Sequence, residues 1–299
     1  MAGAFTAVDL AKLPFPDAVE VLDFEVILAE MLADYQARDP EFTALVESDP
    51  AFKVLEVAAF RELLLRQRVN EAIKALCLAY AMDADLDQIA ARYNVQRLLI
   101  DAGNPNAIPP IAPTYESNDS LRRRVQLSFE GFSTAGPEGA YVFHALGSDA
   151  RVLDADARSP IPGQVIVAVL SNVGSGVAAS DLLVAVNATL SDEDVRPLTD
   201  QVLVESAVIV NYAITAQLTL YPGPDSDVVL AAANAAAAEY AEANHRLGRD
   251  VTLSGLYAAL HQEGVQNVLL SSPTASIVVD RNQASFCTGI TITSVGIDE

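Results

Sequence analysis

From Asp49 to Val95 apolar residues recur at the spacing of an α-helix, and the pattern predicts one long helix followed by a short one. Asp49 can accept hydrogen bonds from the free N–H groups of a first helical turn, and Pro50 suits the first helical position. The long helix is therefore predicted to begin there. No glycine or proline follows before about Tyr80, so at 1.5 Å per residue the helix spans roughly 45 Å.

The second half of this long helix is amphipathic. Its apolar face comprises Leu65, Val69, Ala72, Ile73, Leu76 and Tyr80, and the opposite face carries Arg66, Gln67, Asn70, Glu71 and Lys74. In the first half the apolar residues spread around more of the circumference, which favours contact with two neighbours. The pattern alone fits both an ordinary core helix and a surface that binds a partner.

Two further elements precede the long helix. The segment Leu13-Pro14-Phe15-Pro16 is predicted to be an extended strap that lies along another surface, because its two prolines exclude regular helix. Residues 17–36 predict an acidic amphipathic helix, which ends before a turn at Asp39-Pro40. Its grouped apolar residues are Val21, Phe24, Ile27, Leu28, Met31 and Leu32. Residues 1–100 therefore predict an all-helical region.

The periodicity changes after residue 100. Four prolines, at positions 105, 109, 110 and 113, predict a linker over residues 101–116. Beyond it, helices at 120–132, 137–147 and 181–190 and a buried strand at 165–170 predict an α/β domain over residues 117–205. Strands at 207–220, 265–270 and 290–293 with helices at 226–247 and 253–262 predict another over residues 206–299. The expected fold is α+β and multidomain: a helical N-terminal region followed by two small α/β domains with mixed sheets.

Composition and charge narrow the class of protein. The 299 residues are 51% hydrophobic, which is enough for real cores and about two or three domains. A net charge of −22 repels phosphate backbones and anionic membranes, so nucleic-acid and membrane partners are not expected. The basic run Arg122–Arg124 is expected to face solvent or carboxylate partners. No signal peptide or apolar run of about 20 residues is present, so a soluble, cytoplasmic product is expected, with both cysteines as packed thiols.

The reactive residues and their spacing predict no enzyme, metal site or cofactor. His144, His245 and His261 are widely separated and lack metal-ligand spacing. The acidic run Asp83–Asp87 lacks the glycine of a calcium loop and is better explained by helix capping. Gly174-Ser175-Gly176 is a lone GxG, which favours a turn over a phosphate site. No serine lies in a GxSxG motif.

Five blocks of sequence carry a more specific signal. These blocks are Ser48–Ala72, Ala84–Arg97, Ser117–Ala140, Asp192–Ala207 and Leu220–Asp225. In the same order they resemble blocks of the baseplate J family of contractile-tailed phages and phage-derived contractile bacteriocins. They extend over almost the whole chain, and VRPLTD and YPGPD within them are not generic helix sequence.

The resemblance implies a structural wedge protein of a tail baseplate. In that family two J-type subunits join one smaller baseplate I subunit through a bundle of N-terminal helices. Six such wedges form a ring around the hub, and the ring passes the contraction trigger to the sheath. The interface expected here comprises Phe24, Ile27, Met31, Leu65, Val69, Ile73, Leu76 and Tyr80. The implied partners are a second copy, an I-type subunit, neighbouring wedges, and sheath and hub proteins. The alternative is a small-molecule-binding or regulatory α/β protein that dimerises through its N-terminal helices.

Overall fold

The computed structural model describes residues 8–41, 46–133, 136–223 and 225–297. Among these residues the chain forms two compact units, one over Val8–Gln96 and one from Arg97 onward. The first unit is helical and the second contains helices and mixed sheets, which confirms the predicted fold class. The boundaries proposed for a linker and two α/β domains stay predictions.

The described residues of the helical unit form three α-helices. They are α1 (Phe24–Arg38), α2 (Pro50–Ala75) and α3 (Asp83–Ala91), and a 3-10 turn at Leu10–Lys12 precedes them. The start of α2 is as predicted, because the Ala51 N–H donates to the Asp49 carboxylate at 2.8 Å. Helix α2 is shorter than predicted. After Ala75 the chain tightens into turns in which the N–H of Leu76 donates to the carbonyl of Ile73.

The prediction that a helix begins at residue 17 was wrong. Helix α1 begins at Phe24, and the carboxylate of Asp23 caps it by accepting the N–H groups of Glu25 and Val26. A tertiary contact holds the preceding segment outside the helix. The backbone N–H and carbonyl of Glu20 both bond to the side-chain amide of Asn70, so two groups that a helix requires are already satisfied.

The second unit begins with a small hairpin and a three-stranded sheet. The hairpin pairs β1 (Leu99–Asp101) with β2 (Thr114–Tyr115) and encloses the proline-rich segment. The elements that follow are α4 (Asn118–Leu127), α5 (Glu138–Ser148), β3 (Val152–Ile161), β4 (Gln164–Ser171), α6 (Ser180–Leu190) and β5 (Gln201–Ser206). The central strand β4 runs antiparallel to β3 and parallel to β5. Neither β3 nor β5 was predicted from the sequence.

A second three-stranded sheet occupies the C-terminal part of this unit. Its elements are β6 (Val208–Leu220), α7 (Ser226–Asn244), α8 (Leu253–Leu260), β7 (Val265–Ser272) and β8 (Gln283–Ile297). The strand order is β7-β6-β8, with β7 antiparallel and β8 parallel to β6. Strand β8 is much longer than the predicted segment 290–293. Buried residues on one face of β6, including Ile214 and Leu218, pack against α7 and α8.

The two sheets of this unit share a buried junction. Ala168 and Leu170 of β4 pack with Ala207, Leu247 and Ala284. Polar contacts also hold the two sheets together. The Asp154 carboxylate accepts from Arg123 and from the Leu247 N–H. Arg281 forms ion pairs with Asp156 and Glu138. The two sheets therefore pack against each other within one unit.

Candidate assembly surface on the long helix

The chain itself covers one side of α2 by packing α1 against it. Ile27, Leu28 and Ala59 form the buried centre of this contact, and the residues around them are Phe24, Met31, Leu32, Phe52, Leu55 and Leu63. Three of the predicted interface residues thus lie in the pair of helices within one chain: Ile27 is only 4% exposed, and Phe24 and Met31 are half-buried.

The strap occupies the C-terminal end of the same helix. The Phe15 ring lies 4.8 Å from the Tyr80 ring, between centroids, and the Lys74 ammonium lies 4.2 Å from the Phe15 centroid. The Tyr80 hydroxyl donates to the carbonyl of Leu13 at 2.6 Å. The predicted interface residue Tyr80 therefore binds a segment of its own chain, as the sequence suggested that the strap would lie along a surface.

Large apolar side chains remain exposed on the rest of α2. The first stripe comprises Val54, Leu65 and Val69 of α2 and the cap residue Leu76 directly after it, which lie on one side at about 100° per residue. Leu65 and Leu76 are 69% and 70% exposed, and Val69 is 57% exposed. Ile73, the remaining predicted interface residue, is half-buried at the margin of this stripe.

A second stripe on α2 was not among the predicted interface residues. It comprises Val57, Phe60 and Leu64, all exposed. Val57 and Phe60 also line a shallow groove of about 500 Å³, together with Phe24, Glu56 and Leu63. The signal for this stripe was present in the sequence, because the first half of the helix is apolar around most of its circumference. Whether these residues are exposed depends on which side of α2 is covered by α1, and the periodicity of α2 does not indicate that side.

The charges beside the exposed stripes are mainly basic. Arg61 and Arg68 lie between the two stripes on the helix surface, and Arg68 pairs with Glu71 at 3.6 Å. Arg66 lies on the covered side and bonds to Glu62 and Glu20, and the bond to Glu62 is the main reason that its pKa is raised. Since exposed pairs of this kind contribute little, the arginines are available to meet carboxylates on a partner.

Comparison with known proteins assigns the sequence of this chain to a family. Residues 47–104 match the Baseplate J-like N-terminal domain, residues 133–206 the Baseplate J-like central domain, and residues 212–293 the Baseplate J-like protein C-terminal domain. Baseplate protein J of Escherichia phage P2 is 49% identical over 299 residues, with 98% of this chain and 99% of the relative aligned. The chain belongs to the baseplate J-like family. A structural role in a phage tail baseplate follows at this level.

In this baseplate J-like chain the exposed stripes of α2 lie inside the match to the N-terminal domain. The basic run Arg122–Arg124 lies elsewhere and is paired with acids, as predicted. Its ion pairs are Arg122 with Asp119, Arg123 with Asp154, and Arg124 with Glu116. The carboxylate interpretation of this run is therefore confirmed.

A cavity of about 320 Å³, lined about equally by polar and apolar surface, lies in the second unit. Its lining includes Arg123, Arg124, Asn172, Glu242, His245 and Arg246. Two of these arginines are held by the acids named above, and the His245 ring Nδ1 lies 2.6 Å from the Ser285 carbonyl oxygen. Small-molecule sites are usually mostly apolar with a few convergent polar groups, whereas half of this cavity's lining is polar.

The described residues contain neither a metal-binding cluster nor a membrane-spanning helix. Within residues 8–41, 46–133, 136–223 and 225–297, no group of three or more His, Cys, Asp or Glu side chains is arranged to hold a metal ion. His144 lies on α5, where burial lowers its pKa, and His245 and His261 are the C-terminal cap residues of α7 and α8. No helix in the same ranges is long and apolar enough to cross a bilayer.

Proposed function

We propose that the protein is a wedge subunit of the tail baseplate of a phage or a phage-derived contractile bacteriocin. It is made in the bacterial cytoplasm and acts structurally, without catalysis. Its helical unit assembles with a second copy and with a smaller I-type wedge subunit. Such wedges contact neighbouring wedges and form a ring around the hub, and a rearrangement of the ring passes the contraction trigger to the sheath.

The observation that carries the proposal is the exposed apolar surface of α2. Six large apolar side chains are exposed on this one helix, and a seventh, Leu76, is exposed directly after it, in the two stripes defined above. Exposed apolar stripes of this size mark an interaction site more often than ordinary solvent-facing surface, and here charged residues lie between and beside them. The sequence contains no catalytic motif that would support a different function.

Energetics favour a partner that covers both stripes. Covering Leu65, Val69 and Leu76, which are 57–70% exposed, gains about 1–2 kcal/mol for each side chain. These three together give about 3–6 kcal/mol, whereas association costs roughly 4–15 kcal/mol in lost freedom. All seven side chains give about 7–14 kcal/mol, so stable assembly needs the second stripe as well.

A role in signal transmission requires interfaces that have two packings of similar energy. The exposed stripes suit such a role, because side chains that pack only on a partner can change neighbours without unfolding the helix. The buried contact of α1 with α2 holds the helix itself in place. The helical unit thus combines a fixed internal core with an outer surface reserved for partners.

The test is co-expression of the full chain with a baseplate I-type subunit, followed by affinity purification and light scattering. Leu65→Asp and Phe60→Asp each probe one stripe, and Gln67→Asp is the matched control because Gln67 is exposed on the same helix and is polar. Each stripe variant is expected to weaken the complex by about tenfold or more, since it removes 1–2 kcal/mol and buries a charge. The control is expected to assemble normally.

Circular dichroism of each variant separates loss of binding from loss of folding. Helix content is expected to be unchanged, because both substituted side chains are more than half exposed. Full recovery of the complex with Leu65→Asp and Phe60→Asp would refute the proposal that α2 is the assembly surface.

A further inference from the structure

The cavity of about 320 Å³ in the second unit brings together three segments that lie far apart in the sequence. They are the first two turns of α4, the turn that follows β4, and the residues directly after α7. The basic run Arg122–Arg124 and the motif Gly174-Ser175-Gly176 each contribute to the lining, through Arg123, Arg124 and Gly174. Two sequence features that the assembly role leaves unused therefore meet at one place.

Arg246 lines this cavity with a charge that has no ion-pair partner among the residues that the structure describes. The side chain is half-buried, and burial lowers its pKa. One of its N–H groups donates to the carbonyl of His245 at 3.0 Å, so most of its donors remain for a ligand. Asp154 attracts Arg246, but the carboxylate of Asp154 is already bound by Arg123 and by the Leu247 N–H.

The other charges of the lining do not compensate Arg246. The two arginines of α4 hold the carboxylates described above, and Asp119 is held by Arg122. Glu242 attracts Arg246, but it is exposed and forms no ion pair with it within the described part of the chain. A partly buried charge without a partner costs free energy, and a bound anion would remove that cost.

Neutral hydrogen-bond donors lie in the same lining. The hydroxyl oxygen of Ser117 accepts the N–H of Ser120 at 3.2 Å, which leaves the hydroxyl hydrogen of Ser117 to donate. Ser117 also caps α4, so the positive end of the helix dipole lies at this point. The N–H of Gly174, a residue with a φ of +64°, donates to no group among the described residues.

We infer that this cavity binds a small oxyanion of the phosphate class. Arg246 and Arg123 supply the charged donors, and Ser117 and Gly174 supply neutral ones. The donors come from three segments, which favours phosphate over a carboxylate because phosphate carries more charge and more acceptor oxygens. Such an anion would fasten α4, the turn after β4 and the end of α7 to one another. The inference does not rest on the proposed assembly function.

The net charge of −22 does not prevent anion binding at this cavity. At physiological ionic strength the Debye length is about 8 Å, so most of the acidic residues of the chain are screened from the site. The groups that line the cavity therefore decide its affinity. Binding is expected to weaken as the salt concentration rises, since the attraction to the guanidinium groups is screened as well.

The experiment is isothermal titration calorimetry of the full chain with inorganic phosphate, at an ionic strength held constant with sodium chloride. Saturable binding of one phosphate per chain is expected, and the melting temperature is expected to rise with phosphate concentration. Acetate, titrated in the same way, is expected to bind at least tenfold more weakly. Arg246→Met is expected to weaken phosphate binding at least tenfold, because it removes a charge-assisted hydrogen bond.

The matched control is Arg249→Met, which makes the same change of charge three residues further along the chain. Arg249 is exposed and does not line the cavity, so phosphate binding is expected to stay within about twofold of the unmodified chain. Arg246→Lys keeps the charge but loses the planar fork, and an intermediate affinity is expected. Without phosphate, Arg246→Met is expected to melt no lower than the unmodified chain, because it removes a partly buried charge that has no partner.

Three results would overturn the inference. They are the absence of saturable binding at millimolar phosphate, binding of acetate as tight as that of phosphate, and an equal loss of affinity in Arg249→Met and Arg246→Met. Circular dichroism confirms that each variant is folded, and if Arg246→Met does not fold, unchanged affinity in Arg246→Lys overturns the inference instead. None of these results bears on α2, because every substitution lies in the second unit.

Discussion

The buried ion pair between Glu116 and Arg124 gives a sharp prediction for the stability of the second unit. Their side chains are 2% and 8% exposed, and the Glu116 carboxylate accepts from Arg124 Nη1 at 2.5 Å. It also accepts the Leu98 N–H and the Ser120 hydroxyl, both at 2.8 Å. This one carboxylate therefore ties the hairpin segment to helix α4, and Glu116→Gln is the perturbation that tests it.

The expected cost follows from removing one charge of a buried ion pair. Glu116→Gln keeps the size of the side chain and an oxygen that can accept from Leu98, but it removes the negative charge that pairs with the Arg124 guanidinium. Breaking a buried pair in this way costs about 3–5 kcal/mol. Arg124→Met alone strands the carboxylate instead, at a similar or slightly smaller cost, because two hydrogen bonds remain to stabilise it.

The double variant distinguishes a buried pair from two independent contacts. With both charges removed, Glu116→Gln/Arg124→Met is expected to lose less stability than either single variant, with a coupling of about 2–4 kcal/mol. The assay is urea unfolding followed by tryptophan fluorescence. The chain contains no tryptophan, so Tyr115→Trp, at a half-exposed position next to Glu116, supplies a single local reporter.

Two results would refute this reasoning. One is a loss smaller than about 1 kcal/mol in Glu116→Gln, which would place the pair in the range of surface salt bridges. The other is a double variant that loses the sum of the two single losses, since additivity indicates that the two groups do not interact. The m value must stay constant across the set for the midpoints to be compared.

Four further predictions concern other contacts. Phe15→Ala removes the ring that packs against Tyr80 and Lys74. Amide hydrogen exchange is therefore expected to become faster in the strap and to stay unchanged in the α1–α2 core. Tyr141→Phe removes the hydroxyl that donates to the Asp200 carboxylate at 2.8 Å, and urea unfolding is expected to show a loss of about 1.5–3 kcal/mol. Burial raises the pKa of Asp156 above its ordinary 3.8, so the native state binds this proton more tightly than the unfolded state does. The contribution of Asp156 to the free energy of unfolding therefore falls as pH rises through the raised pKa. Asp156→Asn is expected to remove this part of the pH dependence of the urea midpoint. Elastase is expected to cut first at Ala107–Ile108, because Ile108 is fully exposed at the tip of the proline-rich segment, and mass spectrometry of the first fragments checks this.

Local signals in the sequence were sufficient for several elements. Asp49 and Pro50 determine where α2 begins through contacts within one turn, and these are visible in the sequence itself. The strands β3 and β5 were missed for the opposite reason. Charged residues interrupt the apolar pattern of β3, and they are accommodated by partners far along the chain: Asp154 by Arg123 and Asp156 by Arg281. A strand whose buried charges need partners far along the chain lacks the local apolar alternation by which strands are recognised in a sequence.

The candidate surface shows the same limit. The sequence located the apolar residues of α2 but not the side that α1 covers, so Ile27 was grouped with residues that are exposed. The start of α1 was misplaced because Asn70, 50 residues away, binds the backbone of Glu20. In each case the missing information was a tertiary contact, which periodicity within one element does not contain.

The geometry of α2 also constrains how many partner helices the proposed assembly supplies. At about 100° per residue, the exposed apolar side chains extend from Phe60 to Val69 through an arc of about 180°. One packed helix covers a stripe roughly 100° wide, so a single partner helix leaves part of this arc in water. Helix α1 already occupies the opposite side. Two helices from outside the chain are therefore needed to bury α2 fully, which is the number expected if a second copy and a smaller subunit each contribute one.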